Sequence, residues 1–243
     1  MGQVDLSFVI PAYNEETFIE DTLGSLDLAV KEKKILYEIV VVDDGSKDQT
    51  FTKALNYAKN NDHVKVIRYA RNTGKGFAIK TGVMESTGDA VIFIDGDMEI
   101  DLNTISRYVE TLAIADMVIA SKLHPNSIVS MPFGRKMLSR TFNALVRILT
   151  GFKLKDTQVG LKVMKRSAVD KIFPHLAVKR YAFDVELLAL ANLYRLKIVE
   201  MPVKLKIDSS FKPKDAWRMF IDLLGIAYRL RIIRWYQRPQ VET

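Results

Sequence analysis

The sequence predicts an α/β domain built on a mostly parallel sheet, and three observations carry that prediction. Short runs rich in Val, Ile and Phe alternate with longer helix-compatible segments through the first half of the chain. Several runs are almost continuously apolar, the pattern of strands covered on both faces. Polar clusters follow the runs, at the strand ends where parallel sheets bind ligands.

Each element follows in order. Leu6 to Pro11 is the first strand; it leads into Tyr13-Asn14-Glu15 and a helix expected from Glu15 to Lys31. Tyr37 to Asp43 is the second, ending in Asp43-Asp44-Gly45-Ser46 before a helix over Asp48 to Asn61. Val64 to Tyr69 is followed by the basic loop Asn72-Thr73-Gly74-Lys75-Gly76 and a helix over Gly76 to Glu85. Ala90 to Asp95 closes on Asp95-Gly96-Asp97, with a helix over Leu102 to Leu112 and a fifth strand over Asp116 to Ser121.

The second half reads differently. Phe133 to Leu149 has apolar residues at 138, 142, 145 and 149, with Arg135, Lys136, Arg140 and Arg147 interspersed. A strand over Gly160 to Met164, a helix over Phe183 to Tyr194 and a strand over Ile198 to Val203 follow. A last amphipathic helix, Asp215 to Tyr236, carries Trp217, Ile221, Leu224, Tyr228 and Trp235 on one face. With no repeat or Gly/Ser linker, the expected organisation is a body over residues 1–212 and a basic helical appendage over 213–243.

Composition bounds the function. The 243 residues are 48% hydrophobic, enough for a sizeable core. There are no cysteines, which excludes disulfides and thiolate metal sites and fits a reducing, cytoplasmic setting. No basic leader with an apolar core opens the chain, and no apolar run approaches the roughly 20 residues of a membrane span. The expectation is a protein that is soluble or lies on a membrane surface. A net charge of +7 suits an anionic partner: nucleotide, phospholipid surface or nucleic acid.

Asp95 and Asp97 flank a glycine directly after an apolar strand, and two carboxylates this close repel unless a cation neutralises them. Mg²⁺ or Mn²⁺ prefers such oxygen ligands, shared with substrate phosphates, and Glu99 could supply a third. An acidic turn capped by Asp97 or Asp101 is the alternative; the convergence of three polar clusters favours the metal. Asp43 is placed to accept from a base or ribose, with Ser46 or Asp48 capping the next helix. The Asn72 to Gly76 loop lacks Walker A spacing, and no G-x-G-x-x-G follows the first strand, which argues against a dinucleotide dehydrogenase. His63, His124 and His175 form no metal motif, and the serine-hydrolase elbow is missing. No nucleic-acid partner is expected, since that class leaves the acidic strand ends unexplained and the chain lacks an RRM-type aromatic motif.

Taken together, Phe8-Val-Ile-Pro-Ala-Tyr-Asn-Glu15, Val41-Val-Asp-Asp-Gly-Ser46, Asn72-Thr-Gly-Lys-Gly76 and Asp95-Gly-Asp97 resemble the family 2 inverting glycosyltransferases. Asp156-Thr-Gln-Val-Gly-Leu-Lys162 and Arg180-Tyr-Ala-Phe-Asp-Val-Glu-Leu-Leu188 are similar to the dolichyl-phosphate glucosyltransferase branch, rather than to the mannose synthases. The resemblance covers roughly residues 5–212 and implies a Rossmann-like glycosyltransferase A fold.

It also implies roles. Pro11, Tyr13, Glu15, Val41, Asp43, Asp95 and Gly96 would line the nucleotide-sugar pocket, and Asp95, Asp97 and Glu99 would hold Mg²⁺ or Mn²⁺. Glu99 departs from the glutamine of mannose-transferring relatives. Lys122, where relatives carry arginine, would meet a phosphate as a point charge. Asp97, Lys122 and Arg135 are the expected catalytic groups; Arg135, Arg140, Lys206 and Ser210 would take the acceptor phosphate. The implied reaction moves a hexose, UDP-glucose being the favoured donor over GDP-mannose, onto a polyprenyl phosphate. Such an acceptor places the protein on the cytoplasmic face of a membrane, held by its basic amphipathic helices. A second copy of the chain or a membrane-protein partner is the other way to reach the lipid.

Overall fold

The computed structural model describes residues 4–31, 35–95, 104–151, 156, 158–180, 182–207 and 213–237. The first half follows the expected rhythm. Its strands are β1 (Leu6–Ala12), β2 (Tyr37–Asp43), β3 (Val64–Arg68) and β4 (Ala90–Phe93). Helices α1 (Ile19–Lys31), α2 (Thr50–Ala58), α3 (Lys75–Met84) and α4 (Ile105–Thr111) return the chain to the sheet, and β5 (Met117–Ser121) follows.

The second half contains β6 (Ile128–Ser130), α5 (Phe133–Thr150), β7 (Lys162–Lys165), α6 (Arg166–Ile172) and α7 (Phe183–Leu193). Strands β8 (Ile198–Pro202) and β9 (Lys204–Lys206) lead to α8 (Pro213–Ala227). Among the described residues the main sheet has seven strands in the order β3-β2-β1-β4-β7-β5-β8, and β6 pairs with β9 apart from it.

All neighbours in the main sheet are parallel except β7, which runs antiparallel between β4 and β5. The reversal matters, because it brings the segment before β7 back to the end of β4. The apolar runs that predicted two-sided burial have it: Phe8, Val9, Ile10, Val40, Val41, Ile92 and Val118 are each 0% exposed.

Two expectations change. The first helix starts at Ile19, not Glu15, because the residues between are drawn into the strand-end loops. The last helix does not run to Tyr236. It ends at Ala227, passes through a π-helical turn at Tyr228–Ile232, and reverses at Arg234, whose φ is +48°. Trp235 therefore leaves the face of Trp217, Ile221, Leu224 and Tyr228, and its neighbour Tyr236 is buried in the core with Met219, Leu223 and Ile226.

Candidate active site

The register of β1 and β2 sets Ala12 beside Asp43, so their two loops leave the sheet together. Side chains then lock them. Asn14, at φ +58°, donates its N–H to Ser46 Oγ at 2.9 Å and accepts from Lys47 N–H at 2.9 Å. The N–H of Glu15 is held by Thr50 Oγ1 at 2.8 Å. Pro11 and Glu15 are half-buried, Tyr13 is exposed on the rim, and Val41 lies in the core beneath.

Adjacent residues on a strand point opposite ways, and Asp43 and Asp44 are divided accordingly. Asp44 faces the next loop, where its oxygens accept the N–H groups of Thr73 and Gly74, each at 2.7 Å. Burial raises its carboxyl above the ordinary range; those two bonds oppose the rise and the neighbouring Asp43 charge adds to it. Gly45 makes the turn at φ +74°, where a Cβ would sit 2.5 Å from the Arg71 carbonyl carbon. Asp43 is fully buried, and its Oδ1 accepts the Ser46 N–H at 3.2 Å. Its Oδ2 lies 3.2 Å from Arg68 Nε, yet no hydrogen is aligned on it. A buried carboxylate oxygen with an unfilled acceptor position is unusual and is suited to a ligand's N–H or O–H.

Asp95 follows β4 at the same edge. Its Oδ1 lies 2.5 Å from Lys75 Nζ, at the start of α3. On its other side is Gly160, from the segment that β7 brings back: a Cβ there would stand 2.1 to 2.6 Å from the carboxylate atoms. Asp95 is therefore a half-exposed carboxylate that already attracts a cation and whose space depends on a glycine. That fits a divalent-ion ligand, since hard cations seek such oxygens. Gly96, Asp97 and Glu99, expected to complete the set, lie outside the described residues, as does Ser210 of the expected acceptor group.

The expected phosphate contact at Lys122 is differently disposed. Its ammonium sits 3.0 Å from Asp156 Oδ2 and its backbone N–H donates to the same oxygen at 2.7 Å. Asp156 is fully buried; burial would raise its carboxyl, but the Lys122 charge and hydrogen bonds overcome that and hold it low. Arg135 is half-buried on α5, and Arg140 is exposed one and a half turns on. Lys206 stands opposite Ser130 in the small ladder, just ahead of α5. The structure thus gathers Pro11, Tyr13, Glu15, Asp43 and Asp95 at one edge, and puts Arg135 on α5 and Lys206 on β9, beside the end of β6.

Asp184 and Glu186 are structural anchors. Asp184 pairs with the buried Lys162 at 2.6 Å. Glu186 accepts the N–H groups of Ala177 and Val178 at 2.9 and 2.7 Å, and its other oxygen is bonded by Arg229 and the Tyr236 hydroxyl. Sequence reading missed the roles of Lys75, Asp44, Gly160 and Asp156. For Asp44 the signal was available in strand alternation; for the others the partners lie far apart in sequence.

Comparison with known proteins identifies the family and the fold. Residues 7–173 match the family model "Glycosyl transferase family 2". The chain is 35% identical to the dolichyl-phosphate β-glucosyltransferase of Homo sapiens, over 95% of this chain and 77% of that one. It is 31% identical to the Saccharomyces cerevisiae enzyme of the same name, over 96% and 77% of the two chains. Among solved structures, glucosyl-3-phosphoglycerate synthase from Mycobacterium tuberculosis, in complex with Mn²⁺, UDP-glucose and phosphoglyceric acid, superposes with a TM-score of 0.71. It shares 20% identity, over 92% of this chain and 80% of that one. That likeness identifies the glycosyltransferase A fold. With the family model matching residues 7–173, more than half of the chain, the chain belongs to the family 2 glycosyltransferases, alongside the dolichyl-phosphate β-glucosyltransferases.

Proposed function

We propose that this glycosyltransferase moves glucose from UDP-glucose to dolichyl phosphate with inversion at the anomeric carbon. The observation that carries the reading is the 35% identity to the human dolichyl-phosphate β-glucosyltransferase across 95% of the chain. The donor is supported by the Mn²⁺ and UDP-glucose complex of the structural neighbour.

In this reading Asp43 takes the base, while Pro11, Tyr13, Glu15 and Val41 shape the pocket. Asp95 and Asp97, with Glu99, hold Mg²⁺ or Mn²⁺, which when bound offsets charge on the pyrophosphate and the departing nucleoside diphosphate. Lys75, paired with Asp95, would offer its charge to the donor phosphates from the same edge. Lys122 fixes the end of β5 through Asp156. The nucleophile is a phosphate oxygen of the acceptor, largely ionised at neutral pH because its second pKa is about 6, so no dedicated base is needed. Arg135, Arg140, Lys206 and Ser210 offset repulsion between that phosphate and the donor, and the remaining work is in-line positioning.

The lipid acceptor requires contact with a bilayer, and no helix among the described residues is long and apolar enough to cross one. The packed helices α5 and α8 provide a surface instead. Phe133, Met137, Leu138 and Ile148 of α5 are exposed, as are Trp217, Ile221 and Leu224 of α8. Helix α5 carries four cations and no carboxylate. We place this face on the cytoplasmic leaflet, where each cation adds on the order of 1 kcal/mol at an anionic surface.

The test is transfer of labelled sugar from UDP-glucose and, separately, GDP-mannose to dolichyl phosphate in vesicles, with Mg²⁺ or Mn²⁺ and an Asp97→Ala control. Metal-dependent glucosyl transfer that the control loses is expected. Mannosyl transfer would move the donor, and no lipid product from either would overturn the acceptor.

A further inference from the structure

Two glycines join the donor edge to a groove beside α8. Lys75, whose ammonium meets Asp95, stands between Gly74 and Gly76, and the chain leading into α7 lies on both. A Cβ on Gly74 would stand 2.4 Å from the Lys179 carbonyl oxygen and 2.9 Å from Arg180 Cγ. On Gly76 it would stand 2.5 Å from Phe183 Cβ and 2.9 Å from the Val178 carbonyl oxygen. The Lys179 carbonyl also accepts the N–H of Phe77 at 3.1 Å. The segment Ala177 to Arg180 is thereby fixed to the first turn of α3. On its other side it walls a cavity of about 390 Å³, shared with Ile221, Asp222 and Arg229.

The two walls differ in chemistry. Lys179 and Arg180 are exposed on the wall that is built on the donor loop. Asp222 is faced by Arg180 and Arg229, whose charges oppose the rise that burial gives its carboxyl. Arg229 is tied on its far side to Glu186 at 3.3 Å, a carboxylate that Lys80 also faces, so Arg229 belongs to the frame of the groove. On α8, Ile221 lines the cavity, and Trp217, Leu224 and Tyr228 continue its exposed face at three- and four-residue spacing. A nucleotide sugar has no hydrocarbon to lay on that strip, and its phosphates have Lys75 and the ion at Asp95. A headgroup that merely anchors the enzyme to a bilayer gains nothing from a wall built on the residues beside Lys75. An amphiphilic phosphate that must reach the donor uses both features.

We propose that this groove is the entry of the glycosyl acceptor, with its phosphate met by Lys179 and Arg180 and its first isoprene units along Trp217, Ile221, Leu224 and Tyr228. The inference rests on the polyprenyl-phosphate acceptor of the proposed function. It adds Arg180 to the acceptor cations of α5, a helix packed against α8, and gives α8 a part in selecting the acceptor.

The test uses the full chain with Mn²⁺, UDP-glucose and either farnesyl phosphate or the five-carbon dimethylallyl phosphate, below micelle concentrations. Arg180→Ala should raise KM for farnesyl phosphate about tenfold, the worth of one hydrogen bond to a charged group, and leave KM for UDP-glucose unchanged. Arg180→Lys should recover part of that loss. Ile221→Ser should weaken farnesyl phosphate about fivefold and spare dimethylallyl phosphate, because only the longer chain reaches the strip. UDP-induced thermal stabilisation should persist in each variant. An unchanged KM for farnesyl phosphate in Arg180→Ala, or a rise for UDP-glucose instead or as well, would overturn the site. Equal losses for both chain lengths in Ile221→Ser would overturn the path of the hydrocarbon. Dihexanoyl-phosphatidylglycerol competing as strongly as farnesyl phosphate would overturn the acceptor in favour of a bilayer lipid. Farnesyl phosphate binding is also read by calorimetry with UDP and Mn²⁺, where Asp222→Asn should bind more tightly than wild type; equal or weaker binding would contradict the groove. Because binding is measured apart from turnover, the expected binding pattern with no glucosyl product would fail the acceptor reading and leave the groove standing.

Discussion

Three of the lysine–aspartate pairs among the described residues differ in the property that decides what each can do. Lys75 and Asp95, at the donor edge, keep side chains 26% and 29% exposed. In the second half, Lys122 and Asp156 are 8% and 0% exposed, and Lys162 and Asp184 are 2% and 11%. Water reaches the first pair, so parting it carries a small desolvation cost. The other two have been taken out of water and are held by further hydrogen bonds, which makes parting them expensive. The same two residue types thus form a solvent-reached pair in one region and fixed geometry in the other.

The largest expected effect is on the buried side. Asp156→Ala strands the Lys122 ammonium and should cost about 3–5 kcal/mol, readable in urea denaturation, with the melting temperature falling by roughly 10 °C. A loss under 1 kcal/mol would erase the contrast. Next, Gly160→Ala drives a methyl into the space of the Asp95 carboxylate. Transfer activity should fall about 100-fold, as displacement by an ångström does at a reacting centre, while the chain stays folded. Glu186→Gln keeps an acceptor for Ala177 and Val178 but turns an amide toward Arg229. A cost of about 2 kcal/mol and faster proteolysis around 213–237 are expected.

The smallest effect lies at acid pH, far from the site. Asp27 is bonded by Tyr57, His63 and Tyr37 at 2.7, 2.8 and 3.0 Å. Burial opposes its ionisation, but these bonds outweigh burial and hold the carboxyl below its ordinary value. Its contribution is therefore complete above about pH 4 and lost as pH falls through the lowered folded value. Asp27→Asn should flatten the acid limb of a stability–pH curve; an unchanged limb would show that the bonds carry no net charge preference.

The contrast also explains what could be read from the sequence. The sheet was legible because β1, β2, β4 and β5 are apolar on both faces, and Asp95 was legible as the polar stop of such a strand. The direction of β7 was not, since a four-residue buried strand has the same composition in either direction. Nor were the pairings: Lys75 meets Asp95 and Lys122 meets Asp156 only through the order of strands in the sheet. The amphipathicity of the C-terminal segment was correctly seen up to Tyr228, and its reversal was hidden because it depends on Glu186 receiving Tyr236 from 50 residues away. Short strands β6 and β9 carry too few residues for any periodicity to show.

The central claim is that Asp95, at the C-terminal edge of the sheet, takes part in holding a divalent ion when nucleotide binds, and that a lysine-paired carboxylate at the opposite edge does not. Free Mn²⁺ can be followed by electron paramagnetic resonance as protein and UDP are added. The comparison is wild type, Asp95→Asn, and Asp116→Asn, whose carboxylate is 38% exposed beside Lys165. The account predicts UDP-dependent loss of the free-ion signal with wild type and Asp116→Asn, and its absence with Asp95→Asn. Uptake of Mn²⁺ by Asp95→Asn equal to that of wild type would contradict it.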